Sequence, residues 1–222
     1  MDGFIHWQAF FLLISGDSSM RDNLDYWIDR HKKHFNRLVS VGDIQRSEEE
    51  NIRLYAEKKR KLFDILRKLN INDLRGRSVL DAGCGIGLMS ELFWIMGAEV
   101  AGVDGSEEAI CQAAWRVPSG RFTSISLSEI RYEQNFDIVF CIDVLYHIIS
   151  DEAWKQALSS LCNCLYSGGL LIIIEQLKAE QETPASHVHF RTLPMYLSIM
   201  RKLNMSVIDI DEPKERILIF RK

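Results

Sequence analysis

Residues 78–90, SVLDAGCGIGLMS, place an acidic residue and three glycines at alternate positions, namely Asp81, Gly83, Gly85 and Gly87. Glycine loses more backbone freedom on folding than any other residue, so three of them within one short turn require a reason. A turn that lacks side chains allows a ligand to approach the backbone closely. The spacing therefore predicts a ligand-binding loop with a carboxylate at its head.

A second acidic residue, Asp104, ends the next run of β-forming residues, AEVAGVD. An acidic side chain in this place can accept hydrogen bonds from both hydroxyls of a ribose, which predicts a nucleoside in the ligand. The run D-x-G-x-G-x-G differs from the G-x-G-x-x-G fingerprint of NAD-dependent oxidoreductases. A carboxylate ahead of the loop suits a positive group and disfavours a pyrophosphate. S-adenosylmethionine, which joins adenosine to a sulfonium and an ammonium group, satisfies both conditions.

The pattern of apolar residues predicts the elements that hold these side chains. Strands are predicted at 78–83, 99–104, 121–126, 136–142, 170–176, 205–210 and 216–221, and helices at 88–96, 107–116, 151–166 and 193–203, with Gly168 after the end of the third helix. Runs such as LLIII, and DIVFCI after its first residue, are continuously apolar, as in parallel strands that are buried on both faces. The predicted fold is α/β, a doubly wound, mostly parallel seven-stranded sheet with helices on both faces and an antiparallel C-terminal hairpin through Pro213 and Lys214.

Two further helices are predicted before residue 71. Residues 22–40 and 47–69 carry apolar residues at helical spacing, and Ser47 with Glu50 has the spacing of a capping box. The basic run from Lys58 to Lys61 is interpreted as a solvated helix face. These patterns divide the chain into an N-terminal helical extension or cap, residues 1–70, and a Rossmann-like catalytic domain, residues 71–222.

The apolar segment GFIHWQAFFLLIS, residues 3–15, is too short to span a membrane, which takes about 20 apolar residues. It is interpreted as a helix that packs on the protein, as a loosely held extension or as a membrane contact. No transmembrane segment is therefore predicted.

The composition indicates which partners and which cellular compartment are expected for the protein. The formal net charge of −4 argues against a surface that coats nucleic acid. The five cysteines are odd in number and lack zinc-knuckle spacing, which favours reduced thiols and a cytoplasmic location. A homodimer is one assembly that the sequence allows.

Four motifs, taken in order, resemble the class I S-adenosylmethionine-dependent methyltransferases. VLDAGCGIG is similar to the first motif of that family and GVDGS to its second acidic motif. FDIVFCIDVLYHI, residues 136–148, resembles the fourth strand with its following loop, and LYSGGLLIIIEQ, residues 165–176, resembles the fifth strand. The resemblance covers roughly residues 70–222 and implies a Rossmann-like fold, S-adenosylmethionine as the cofactor and methyl transfer as the reaction.

The resemblance also implies which residues contact the cofactor. In chain order they are Asp81, Gly83, Cys84 and Gly85 at the methionine end, Gly87 for close helix packing, Asp104, Gly105 and Ser106 at the ribose, Ser126 or Leu127 beside the adenine, and Cys141 and Ile142 at the end of the fourth strand. The family often has an acidic residue after the third strand, where this chain reads SISLSEI. Backbone and apolar contacts are therefore expected to hold the adenine.

Two histidines are candidates for the general base of a hydroxyl acceptor. His147 follows the fourth strand, in the loop that faces the substrate in the family, and His187 lies in the segment HVHFRT. A structural role is the alternative for His147. The candidate acceptor-binding residues are Tyr146, His189 and Arg191, and a surface salt bridge is the alternative for Arg191. The first predicted helix could also supply a lid through Tyr26, Trp27, Arg30 and His31, and plain packing is the alternative for Trp27.

No metal site is predicted. A Mg²⁺-dependent variant of the reaction would use Asp143 and the pair Glu175 and Gln176, because hard cations prefer oxygen ligands.

The acceptor is the least determined part of the reaction. The fourth strand continues as CIDVLYH and lacks the motif of enzymes that methylate base amino groups, which disfavours nucleic acid. A hydroxyl of a small molecule or of a sugar unit in a glycan is the predicted acceptor. N-methylation of a small molecule or protein, and cofactor binding without catalysis, are the alternatives.

Overall fold

The computed structural model describes residues 18–132, 135–211 and 216–222. The apolar segment 3–15 and the connection through Pro213 and Lys214 lie outside these residues.

The described residues form a seven-stranded sheet with the strand order β3-β2-β1-β4-β5-β9-β8. The strands of the chain are β1 Ser78–Ala82, β2 Glu99–Asp104, β3 Arg121–Ser124, β4 Phe136–Ile142, β5 Leu165–Glu175, β6 Glu182–Ala185, β7 Val188–Phe190, β8 Ser206–Asp211 and β9 Arg216–Arg221. Strands β1 to β5 run parallel, whereas β9 is antiparallel to both β5 and β8. The mostly parallel sheet and the antiparallel C-terminal pair predicted from the sequence are confirmed.

Six helices accompany the strands in the described part of the chain: α1 Ser18–Lys33, α2 Glu48–Lys68, α3 Leu88–Ile95, α4 Glu107–Arg116, α5 Asp151–Asn163 and α6 Leu193–Lys202. Serine side chains begin three of them by accepting hydrogen bonds from backbone N–H groups of the first turn. Ser47 and Glu50 form the predicted capping box of α2, and Ser106 caps α4. Residue types readable in the sequence thus set these starting points.

Two hydrophobic cores cover the two faces of the sheet. On one face, Leu62 and Leu66 of α2 and Phe93 of α3 pack against the sheet and are fully buried. On the other face, Trp154 of α5 and Tyr196 of α6 are buried in the second core. Helices on both faces explain why the central strands are mostly apolar.

Two predicted helices end earlier in the structure than expected, and one hairpin of the structure was not predicted. The first helix ends at Lys33, before the predicted residue 40, and Asn36 has a φ of 59°, which a helix cannot continue through. The third catalytic-domain helix ends at Asn163, and Gly168 lies within β5, where its N–H donates to the carbonyl of Lys222. Strands β6 and β7 pair with each other as a separate small hairpin that was not predicted.

Helix α2 shares its core with the sheet, although it belongs to the predicted N-terminal cap. Its buried residues contact the same cluster as Val79 of β1 and Val100 of β2. The boundary between residues 70 and 71 stays a prediction. None of the helices in the described ranges has the length and apolar character needed to cross a membrane.

Gly87→Ala is expected to lower the free energy of unfolding by about 2–5 kcal/mol. Gly87 begins α3 with a φ of +81°, and a Cβ there would lie 2.8 Å from the Cα of Ala113 in α4. The left-handed conformation costs about 1–2 kcal/mol and overpacking about 1–3 kcal/mol. Urea unfolding measures the change.

Gly76→Ala is the matched control, because Gly76 has a φ of +69° but no atom within 4 Å of the added Cβ. The free energy of unfolding of this variant should fall only by the cost of placing alanine in the left-handed conformation, about 1–2 kcal/mol. Equal losses for the two variants would show that the approach of α3 to α4 does not depend on Gly87.

Candidate active site

A cavity of about 730 Å³ opens at the carboxyl ends of β1, β2 and β4. The chain leaves β1 towards β2 and β3 and returns to add β4 on the other side, so the strand order reverses here. Ligands of open α/β sheets bind at such a position. The volume lies within the range of about 300–1,000 Å³ that is typical of small-molecule sites.

The glycine loop after β1 forms the floor of this cavity. The N–H groups of Gly83 and Cys84 both donate to the carbonyl of Val103, at 2.8 and 2.9 Å, which ties the loop to β2. Gly85 has a φ of +50°, and a Cβ there would lie 2.8 Å from Cγ1 of Val41. The loop therefore has no room for a side chain at this position.

Asp104 organises the loop from the end of β2. One oxygen of its carboxylate accepts from the N–H of Gly85 at 2.9 Å, and the other accepts from the N–H of Ser106 at 3.0 Å. Burial raises the pKa of Asp104, and His31 and the backbone donors oppose this effect. The carboxylate is thus a fixed acceptor in the cavity wall.

Asp81, at the end of β1, is a second carboxylate in the wall and is buried, with 3% of its surface exposed. It accepts from the hydroxyl of Ser90 at 2.6 Å. Burial raises the pKa of Asp81 from its ordinary value of 3.8 to about 6, and the charge of Asp104 adds to this rise. A bound cationic group would stabilise both ionised carboxylates.

Helices α1 and α2 supply the opposite wall, which the family motifs do not include. Arg30 of α1 donates from Nε and Nη2 to the carbonyl of Val39 at 2.9 and 2.7 Å, and also to the carbonyl of Gly42. Tyr55 of α2 donates to the carbonyl of Val41 at 2.9 Å. These bonds hold the connection between α1 and α2 over the glycine loop.

Lys58 corrects the interpretation of the basic run as a solvated face. It lines the cavity, and its Nζ lies 2.5 Å from Oδ2 of Asp143, the residue after β4. Asp143 has a φ of 56°, which is uncommon for a residue other than glycine, and its N–H donates to the carbonyl of Ile174. A basic residue on an otherwise amphipathic helix was the only sequence signal for this contact.

Aromatic rings gather at the other end of the cavity. His147 lies in the cavity wall, 4.6 Å from the ring of Trp27 and 4.2 Å from that of Tyr146. Outside the wall, Tyr26 stacks on His187 at 4.1 Å. Helix α1 therefore contacts the loop after β4 and the β6–β7 hairpin through flat side chains.

A hydrogen bond to the backbone orients the ring of His147. Its Nδ1 lies 2.8 Å from the carbonyl oxygen of His187, which can only accept, so Nδ1 carries the hydrogen. Nε2 then carries the lone pair of the neutral ring. Burial lowers the pKa of His147 to about 4. The ring is therefore neutral near pH 7.

The structure brings most of the sequence-predicted site residues together around the cavity. Those in its wall are Asp81, Gly83, Cys84, Gly85, Asp104, Gly105, Ser126, Leu127, Ile142, Tyr146 and His147. Gly87, Ser106, Cys141, His187, His189 and Arg191 lie outside that wall.

Two of the outlying cofactor candidates have structural contacts. Cys141 is buried in the core of the sheet, because neighbouring residues of a strand face opposite ways and Ile142 takes the cavity side. Ser106 is fully buried and caps α4, and it reaches the site only through its backbone bond to Asp104. The expectation that these two side chains face the cofactor is corrected.

Arg191 and His189, the two acceptor-binding candidates outside the cavity wall, form hydrogen bonds with other parts of the protein. Arg191 is buried, bonds to Asp151 at 2.9 Å and to the carbonyl of Ile149, and so fixes the start of α5. This placement corrects both the expected anion contact and the surface salt bridge. The ring of His189 bonds to Thr183 across the β6–β7 hairpin at 2.8 Å.

The acidic residues of the Mg²⁺-dependent alternative have other partners. Asp143 pairs with Lys58, and Glu175 accepts from the hydroxyl of Tyr196 at 2.7 Å. Burial raises the pKa of Glu175 to about 8. Within the described residues, no group of three or more His, Cys, Asp and Glu side chains has a geometry that could hold a metal ion.

Known proteins share both the sequence pattern and the fold. The methyltransferase domain family matches residues 50–208. A ubiquinone biosynthesis O-methyltransferase of Bradyrhizobium sp. (strain ORS 278) is 32% identical over 108 residues, which are 47% of this chain and 42% of that protein. The protein of the same name from Glaesserella parasuis serovar 5 (strain SH0165) is 34% identical over 127 residues, which are 50% of this chain and 52% of that protein. The chain spans about half the length of these curated relatives, or less.

A solved structure extends the likeness to almost the whole chain. Magnesium protoporphyrin IX methyltransferase from Synechocystis PCC 6803, with bound SAM, superposes with a TM-score of 0.71 at 20% sequence identity. The match covers 95% of this chain and 100% of that chain. At this level of identity the likeness shows the fold.

Asp81→Asn is expected to stabilise the ligand-free protein at pH 8 by about 1–3 kcal/mol. Because burial raises the pKa of Asp81 to about 6, the folded state binds the proton more tightly than the unfolded state does. Ionising Asp81 therefore costs stability as the pH rises from about 4 through 6, and the neutral amide avoids that cost. Urea unfolding between about pH 4.5 and pH 8 measures the difference.

Asp64→Asn is the control, because the side chain of Asp64 is 53% exposed on α2 and water already solvates its charge. It should show no comparable gain with pH. A gain for Asp81→Asn that is independent of pH would contradict the burial argument.

Proposed function

The chain belongs to the methyltransferase domain family, and from this premise we propose that it transfers a methyl group from S-adenosylmethionine to a hydroxyl of a small aromatic molecule. The observation that carries the proposal is the pair of carboxylates, the buried Asp81 and the half-buried Asp104, that flank the glycine loop and line one cavity. A ligand with a ribose at one end and positive groups at the other satisfies both carboxylates.

The residues present fit this cofactor. Asp104 offers fixed acceptors for ribose hydroxyls, and Gly83 and Gly85 present only backbone to the same cavity. Asp81 offers a carboxylate, with a raised pKa, to the ammonium group of the methionine end. S-adenosylmethionine, when bound, supplies a methyl group that its sulfonium makes electrophilic.

The protein's contribution to the reaction is chiefly positioning. A nucleophile must lie in line with the methyl carbon at about 3 Å, and holding it there removes a large part of the barrier. The rings of Trp27, Tyr146 and His147 line the end of the cavity where the acceptor would enter. Flat side chains favour a planar acceptor over the sugar hydroxyl that the sequence left open.

The relatives support a hydroxyl as the acceptor. Both proteins described above carry the name ubiquinone biosynthesis O-methyltransferase. His147 is the residue we assign as general base, with Nε2 as the proton acceptor and the carbonyl of His187 as the group that fixes its tautomer. His187 then acts through its backbone, as a positioning residue.

The location and the domain division are further parts of the proposal. The five cysteines are free thiols in the structure, which is consistent with a reducing, cytoplasmic compartment. The division at residue 70 places α1 and α2 in a cap that covers the site of the following domain.

Asp104→Ala is expected to weaken the binding of S-adenosylhomocysteine by at least about 100-fold, because two charge-assisted hydrogen bonds to the ribose are lost. Calorimetry with the folded variant measures the dissociation constant. Glu107→Ala, at an exposed position in the first turn of α4, is the control and should bind as the wild type does. Unchanged affinity of Asp104→Ala, or failure of the wild type to bind the ligand, would contradict the cofactor assignment.

His147→Ala is expected to lower kcat by about 100-fold, the lower end of the usual contribution of a general base, because a histidine with a lowered pKa is a weak base. The rate of S-adenosylhomocysteine release with hydroxylated aromatic acceptors measures the effect. In the wild type at saturating S-adenosylmethionine, where the bound ammonium group keeps Asp81 ionised, kcat/KM for the acceptor should fall only as the pH approaches about 4, since protonation of His147 removes the base. An acidic limb near pH 6.5, or full kcat in the variant, would argue against this role.

A further inference from the structure

His31, near the end of α1, is a buried side chain in the wall of the cavity. Only 2% of its surface is exposed, and neither ring nitrogen has a hydrogen-bond partner among the described residues. Leu24, Trp27 and His31 follow one another at helical spacing, and all three line the cavity. Unpaired polar groups in a buried position are rare and costly, so this ring requires a partner.

The position of α1 indicates which part of a ligand His31 would meet. Lys32 pairs with Glu108 of α4 at 3.5 Å, and the backbone N–H of Asn36 donates to Gln112. A Cβ on Gly105, the residue after Asp104, would collide with Leu24. The apolar face of α1 therefore covers the junction of β2 and α4, where Asp104 lies.

Burial keeps the ring of His31 neutral near pH 7. Burial lowers the pKa of His31 and Arg30 lowers it further, whereas Asp104 and Glu108 raise it, with a net decrease. A neutral imidazole has one N–H donor and one acceptor nitrogen. His31 therefore offers a donor beside a carboxylate that can only accept.

We propose that His31 donates a hydrogen bond to a ribose hydroxyl of the nucleoside ligand that Asp104 holds. A hydroxyl that donates its hydrogen to Asp104 keeps two lone pairs on its oxygen, and one of them accepts from the His31 N–H. The same contact satisfies the unpaired donor of His31. The inference rests on the proposed function, because it assumes that a nucleoside occupies this end of the cavity.

The role of His31 is that of a binding residue supplied by α1. It adds a contact from the covering helix to those made by the sheet, so ligand binding and the docking of α1 stabilise each other. Trp27, on the same face of α1, meets His147 at the acceptor end. One helix thus contacts both ends of the cavity.

The test compares His31→Gln, which keeps an N–H donor, with His31→Phe, which keeps a flat ring and has no donor. Calorimetry measures the affinity of each folded variant for S-adenosylhomocysteine and for its 2′-deoxy and 3′-deoxy analogues. His31→Phe should bind S-adenosylhomocysteine about 5- to 30-fold more weakly than the wild type, and His31→Gln should recover part of the loss. His34→Ala, just beyond α1 and outside the cavity wall, is the control and should bind normally.

The deoxy analogues separate a ribose contact from a general effect on folding. If His31 donates to one hydroxyl, His31→Phe should lose little further affinity when that hydroxyl is absent. A second readout is the ¹⁵N chemical shift of the His31 ring, which should change when S-adenosylhomocysteine binds.

Equal affinities of the two variants, or the same loss for both deoxy analogues in wild type and variant, would overturn the role of His31. Failure of the wild type itself to bind S-adenosylhomocysteine would instead overturn the proposed function. The two failures are therefore distinguishable.

Discussion

The cavity depends on two carboxylates, the buried Asp81 and the half-buried Asp104, at the ends of neighbouring parallel strands. Burial raises the pKa of both Asp81 and Asp104, and the charge of Asp104 adds to the rise at Asp81. The hydroxyl of Ser90 and the backbone N–H groups of Gly85 and Ser106 compensate only part of this cost. A ligand that brings positive charge and hydroxyl donors would complete the compensation, so the cost of burying these charges is also a source of affinity for such a ligand.

The N-terminal helices turn this charged edge into an enclosed site. Arg30 is buried, and its N–H groups donate to the carbonyls of Val39 and Gly42. The guanidinium group therefore holds the backbone of this connection in place and does not serve as a ligand group. That backbone places Val41 against Gly85. The glycine at this position is therefore required by the protein's own packing as well as by any ligand.

Enclosure also decides what kind of base the site can hold. Burial among Trp27, Tyr146 and the chain at His187 lowers the pKa of His147 to about 4, which keeps the ring unprotonated and weakens it as a base. A methyl group on a sulfonium is already electrophilic. A weak base and a well-aligned acceptor would therefore be sufficient for the proposed methyl transfer. The aromatic wall that lowers the pKa of His147 is the same wall that would orient a planar acceptor.

The sequence by itself determined the sheet, the glycine loop and the two acidic strand ends. Apolar runs, serine caps and glycine spacing are local signals, and they predicted β2, β4 and α4 with the bounds that the structure has. The family resemblance is confirmed, because it rests on the same local motifs. Asp81 and Asp104 were readable because parallel strands bring their carboxyl ends to one edge.

Only the tertiary structure decided which more distant residues join that edge. Lys58, His31 and the unpaired state of the His31 ring follow from how α1 and α2 pack over the loop, and the motifs contain no trace of that packing. Arg191 is a residue that the sequence analysis assigned to the acceptor site and that the structure places elsewhere. Its side chain pairs with Asp151 and is buried in the protein interior. The direction and burial of a side chain are set by contacts between segments far apart in the chain. A local sequence pattern does not predict those contacts.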